Sequence, residues 1–142
     1  MTTHILCAID LTHQDNACAL IAEAGRHAKL DNAVLSVVTV LPDYGSSFVG
    51  SFFKDGTLKE AAEAARVTLH KLVDDVLPEF DQVQCIVAIG SAYEEILEAA
   101  KTVHADLVIV GAHKPDLAER IIGPNAARIV RHAEVSVLVL RI

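Results

Sequence analysis

Asp10 closes the apolar run His4-Ile-Leu-Cys-Ala-Ile-Asp10, so a carboxylate stands where a strand gives way to a loop. Far along the chain a second apolar, β-branched run, Asp106-Leu-Val-Ile-Val-Gly111, stops at a glycine. The polar segment Ala112-His-Lys-Pro-Asp116 follows, and then Gly123-Pro-Asn-Ala126 opens a helical pattern. A buried strand, a glycine turn and a helix start, in that order, leave the free N–H groups of a helix N-terminus beside the carboxyl end of a strand, where anions bind. Gly111, Gly123, Asn125 and Ala126 are the candidates for such a cradle, because glycine lets backbone approach a ligand closely. His113 and Lys114 stand where they can neutralise anionic charge. Pro124 suits a first helical position, yet it also lacks the N–H and the hydroxyl that a phosphate oxygen would use. No Gly-Lys-Ser/Thr follows and no Gly-x-Gly-x-x-Gly is present, which excludes the two commonest phosphate-binding loops.

Other chemistries find less support. The seven histidines, at positions 4, 13, 27, 70, 104, 113 and 132, are scattered along the chain and show no ligand spacing with a cysteine, so no metal site is expected. Cys7, Cys18 and Cys85 are widely spaced among apolar neighbours and read as small hydrophobes in a reducing compartment. Ser91 after Gly90 is no nucleophile elbow; with Glu94 it has the spacing of a capping box. A phosphorelay receiver needs an aspartate ending the third strand, and that strand ends Ala88-Ile-Gly90. No general base and no metal-binding carboxylate pair stands out, so no catalytic residue is assigned.

The elements that must position these residues follow from periodicity. His4 to Asp10 is the first strand, and Asp15 to Lys29 is a helix with Ala17, Leu20, Ile21, Ala24 and Ala28 on one face. Ala33 to Leu41 is the second strand, entered through Asp31-Asn32 and ended by Pro42. A long loop, Asp43 to Gly56, holds Tyr44, Phe48, Phe52 and Phe53. Thr57 to Leu77 is an amphipathic helix closed by Pro78. Gln82 to Ile89 is a third strand whose partial alternation suits a sheet edge, and Ser91 to Val103 is a third helix. The chain then finishes strand, helix, strand through Val135-Ser-Val-Leu-Val-Leu140.

One α/β domain over residues 1–142 accounts for this βαβαβαβαβ order. At that length roughly two thirds of the unfolded surface can be buried. With 52% hydrophobic residues and only 4% aromatic, the core is built from Val, Ile, Leu and Ala. A formal net charge of −7 argues against nucleic acid, and no apolar run is long enough for a bilayer. Met1-Thr-Thr leads straight into a strand with no signal pattern, so a cytoplasmic protein is expected.

Ala112-His-Lys-Pro-Asp116, Ile121-Ile-Gly-Pro-Asn-Ala126 and Ile129-Val-Arg-His-Ala133, with Ile9-Asp10 and Gly90-Ser-Ala-Tyr-Glu-Glu-Ile96, together resemble the universal stress protein family. The likeness spans essentially the whole chain and is strongest to small single-domain bacterial members. It implies a five-stranded parallel sheet of order 3-2-1-4-5 with helices on both faces, and a crevice between strands one and four. It also implies ATP or AMP as ligand, any Mg being bound through the nucleotide, with at most slow hydrolysis and a role in stress resistance. Asp10 would then lie near the adenosine part, where a carboxylate accepts a ribose hydroxyl or an adenine amine; it can equally bond nearby loop amides. Ala8 and Val40 match positions that flank or hydrogen-bond the adenine through main-chain groups, and His132 falls in a turn where a structural hydrogen bond is expected. Departures are present: the second glycine of the family's Gly-x-x-Gly is replaced within His113-Lys114-Pro115, the loop is one residue short, and Pro124 replaces Ser/Thr.

The resemblance further implies pairing through the final strand. Physical reasoning reaches the same point independently, since Val135 to Leu140 forms an apolar sheet edge that a twofold copy would cover. A homodimer, with protein partners not identifiable from sequence, is the expectation.

Overall fold

The computed structural model describes residues 2–42, 55–112 and 124–142. Nine elements alternate along the chain: β1 (His4–Ile9), α1 (Gln14–Asp31), β2 (Val34–Leu41), α2 (Asp55–Val76), β3 (Val83–Ile89), α3 (Ala92–Thr102), β4 (Leu107–Ala112), α4 (Pro124–His132) and β5 (Ser136–Arg141). The strands form one sheet in the order β3-β2-β1-β4-β5, all neighbours parallel, as expected from the sequence.

Strand periodicity splits the core into two layers. Ile5, Cys7 and Ile9 of β1 point to one face with Leu35, Val37 and Ile109, and α1 and α2 cover it with Leu20, Ile21, Leu69 and Val73. Leu6 and Ala8 point the other way with Val38, Val108 and Val110, beneath Ile96, Ala100, Ala126 and Ile129 of α3 and α4. Central β1 is therefore buried and apolar from Ile5 to Ile9, whereas the edge strands β3 and β5 are half-buried. Full burial of one such side chain contributes about 1.5–3 kcal/mol. Exposed pairs such as Arg66 with Glu63 are screened by solvent and add little. The sheet, not the surface charge, carries the fold.

Helix ends have local causes. Asn32 adopts a left-handed conformation (φ 52°) that ends α1, and the Ala33 N–H reaches the Ala28 carbonyl at 2.8 Å. Gly90, at φ 146°, makes the turn from β3 into α3, a conformation that disfavours any side chain. Gly25 lets α2 come close to α1, since a β-carbon there would lie 2.5 Å from Leu77 Cδ2.

Some local expectations need correction. Ser91 is the N-cap of α3, but its hydroxyl makes no capping bond; its carbonyl receives the Glu95 N–H at 2.9 Å, so the capping box with Glu94 is not formed. Glu94 instead accepts from the Tyr93 hydroxyl at 3.1 Å. α2 begins two residues before the expected Thr57, and residues 43–54 of the long loop lie outside the described residues. All three cysteines are free, and burial pushes the Cys7 thiol up to about 12, consistent with a packing role.

Candidate functional site

β1 and β4 are neighbours, with Ile5 opposite Leu107 and Cys7 opposite Ile109, yet the chain leaves them in opposite directions. After β1 it enters α1 on one face of the sheet; α4, which follows β4, packs on the other. Divergence of the two connections opens a crevice at the carboxyl ends of the strands, the place where open parallel sheets hold ligands. Its volume is about 490 Å³, within the range of small-molecule sites. Ala8, Asp10, Val40, Gly111, Asn125 and Ala126, six of the nine residues singled out from sequence, line it together. His113, Lys114 and Gly123 lie outside the described residues.

Each of the six arrives by a different route. Ala8 is the penultimate residue of β1, buried, opposite Val38. Asp10 follows directly and is exposed; its Oδ1 accepts the Thr12 N–H at 2.9 Å and the Thr12 hydroxyl at 2.6 Å. It thus bonds a loop amide and lines the crevice at once. Val40 is half-buried near the end of β2, paired with Ala88. Gly111 lies within β4 opposite Leu140, and a β-carbon on it would come 2.7 Å from Ile142 Cδ1 and 3.0 Å from Leu20 Cδ1. The space that its missing side chain leaves is thus filled by packing on the α1 face. Asn125, exposed, and Ala126, buried, belong to the first turn of α4, which starts at Pro124 as the sequence suggests.

Leu20 and Ile142 on one side and Ile96 and Ile129 on the other give the crevice apolar walls. Polar groups gather at its rim. Such a mixture suits a ligand with a flat apolar part and a polar end. Two residues that sequence reasoning passed over also line it, Thr12 and Thr39. Thr39 is 3% exposed and its hydroxyl donates to the Ile9 carbonyl at 3.1 Å. The signals were present: Asp-x-Thr is the spacing of a side-chain turn, and Thr39 is a hydroxyl inside an otherwise apolar strand.

Other polar side chains of α4 lie outside the crevice. The Arg128 guanidinium lies over the Tyr93 ring, 5.2 Å from its centre, and Arg131 is exposed. His132 was expected to make a structural hydrogen bond; among the described residues it makes none and instead meets the Tyr93 ring, 6.1 Å between centres. No group of three His, Cys, Asp or Glu able to hold a metal occurs among the described residues. No helix of the described residues is long and apolar enough to cross a membrane.

A doubly wound parallel α/β domain with a crevice at its topological switch point is thus the class of protein that this fold defines. The family model for the universal stress protein family matches residues 1–141, and the chain belongs to that family. It is 30% identical over 124 residues to universal stress protein G of Shigella flexneri, covering 84% of this chain and 87% of that protein. Among solved structures, a universal stress protein in complex with cAMP matches with TM-score 0.68 at 21% identity, covering 98% of this chain and 97% of the other. The universal stress protein of Archaeoglobus fulgidus in complex with dAMP matches with TM-score 0.65 at 22% identity, covering 96% of each chain.

Proposed function

We propose that this universal stress protein binds an adenine nucleotide, AMP or ATP, in the crevice between β1 and β4. The observation that carries this reading is the convergence there of Ala8, Asp10, Val40, Gly111, Asn125 and Ala126 from four separate parts of the chain. Relatives of the same fold hold cAMP and dAMP, which supports the ligand class. In this reading the adenine lies between the apolar walls, met by main-chain groups near Ala8 and Val40. Asp10 accepts a sugar hydroxyl or the adenine amine. Phosphate is stabilised by the N–H groups at the start of α4. Any Mg arrives with the nucleotide.

Calorimetric titration with AMP and ATP tests the reading. Binding should be measurable, and Gly123→Val should abolish it by blocking close approach. Absence of both heat and thermal shift at millimolar nucleotide would leave a second reading, a regulatory module of the same fold without nucleotide. Pro124 is what favours that alternative, because it removes one N–H from the helix start.

We further propose a cytoplasmic homodimer acting in the stress response. β5 is an edge strand carrying half-buried Val137, Leu138, Val139 and Leu140, and a twofold copy would cover it. Sedimentation showing a monomer at micromolar concentration overturns the dimer.

A further inference from the structure

Two helices begin at the crevice. Ala92, the first residue of α3, and Asn125, in the first turn of α4, both line it, and the two helices pack on one another as they leave it. A cation stands between them. Side chains of a helix lean toward its N-terminus, so Arg128, three residues beyond Asn125, reaches back toward the crevice end of α4. Its guanidinium lies over the ring of Tyr93, 5.2 Å from the centre, and Tyr93 directly follows Ala92 in α3. Among the described residues no ion pair involves Arg128. Glu94, the acidic residue beside Tyr93, accepts from the Tyr93 hydroxyl at 3.1 Å. The charge of Arg128 is therefore placed, exposed and not neutralised. In a chain of net charge −7, the segment Pro124–His132 carries Arg128 and Arg131 and no acidic residue, a local reversal of sign beside the crevice.

We propose that Arg128, held by Tyr93, is a specificity-determining residue that takes the outer phosphates of a nucleoside triphosphate and so sets a preference for ATP over AMP. This inference rests on the nucleotide reading above, in which the start of α4 meets the first phosphate. Arg128 follows Asn125 by about 4.5 Å along the helix axis, a step that further phosphates bridge and a single one does not. A guanidinium offers forked N–H donors that match phosphate oxygens, and one already seated on an aromatic face loses less freedom when the ligand arrives. Exposure to solvent keeps the effect modest.

The test titrates the intact protein with AMP and with ATP, at one ionic strength and one Mg concentration, in wild type, Arg128→Gln, Tyr93→Leu and Arg131→Gln. Wild type should bind ATP about tenfold more tightly than AMP, the effect of one hydrogen bond between charged groups. Arg128→Gln should bring that ratio close to one, and Tyr93→Leu, which frees the guanidinium, should lower it. Arg131→Gln removes the same charge from the same helix and should keep the ratio. An unchanged ratio in Arg128→Gln or in Tyr93→Leu overturns the inference. Equal losses in the two arginine variants overturn it as well, because the general field of the helix is then the cause. So does a wild type that binds AMP and ATP alike. A wild type that binds neither removes the nucleotide reading itself, a distinct and recognisable result.

Discussion

The two ends of the sheet repeat one piece of chemistry for different purposes. At the carboxyl end Thr12 gives its N–H and hydroxyl to Oδ1 of Asp10, two residues away. At the amino end Thr3 gives its N–H, at 2.8 Å, and its hydroxyl, at 2.9 Å, to Oδ2 of Asp106, which lies 103 residues further along the chain. Asp106 also accepts the His4 N–H at 3.3 Å, so it stitches the start of β1 to the start of β4. Beside it a polar row closes the same end: His4 Nε2 lies 2.8 Å from the Ser36 hydroxyl, which donates to Gln84 at 3.3 Å. With the Ser36 proton directed at Gln84, His4 Nε2 is the donor in the first contact. One carboxylate closes a seam, then, and the other borders a crevice. A threonine on an aspartate is no signature of a site; what the strands do beyond it decides.

The contrast can be broken by exchanging the effects. Asp10→Ala should cost about tenfold or more in nucleotide affinity with little change in melting temperature, and Asp106→Ala should leave affinity unchanged. A matching loss of affinity in both would erase the distinction. For stability the order reverses. Asp106→Ala should lose about 1 kcal/mol, the low end because its hydrogen bonds are partly solvated, or about 3 °C in melting temperature for a chain of this size.

Acid titration sharpens the same point. The Thr3 N–H, first among its neighbours, holds the Asp106 carboxyl below the usual carboxylate range. A depressed carboxylate contributes stability above its unfolded value and loses it as pH falls through the folded one. The difference between wild type and Asp106→Ala should therefore be full at neutral pH and shrink below about pH 3.8. His4 gives a smaller effect at milder pH. Burial lowers its pKa, Asp106 opposing and His104 adding to the shift, so the folded protein resists its protonation. Stability should be full above pH 6.5 and decline below it, and His4→Gln, which keeps a donor toward Ser36, should flatten that decline in denaturant titrations. An unchanged slope would remove His4 from the account.

Much of this was legible in sequence because hydrophobic period and glycine placement are local signals. The apolar runs of β1 and β4, the partly alternating edge β3, Asn32 at the end of α1 and Pro124 at the start of α4 follow from residues within a few positions of one another. Convergence of Asp10 with Asn125 and Ala126 needed the strand order, which periodicity alone does not contain and family resemblance did. The misses have a common cause. Whether Ser91 caps through its hydroxyl, or His132 meets a ring, depends on rotamers and neighbours from other elements. The Asp106 seam joins residues 103 positions apart, so no local pattern announces it.

Elsewhere the sheet stands as a partition, with α1 and α2 on one side and α3 and α4 on the other. At the crevice that partition ends, and Leu20 from the first layer and Ile129 from the second border one space. A guest seated there works as a keystone. It would touch both halves of the sandwich at once, Leu20 on one side and Ile129 on the other.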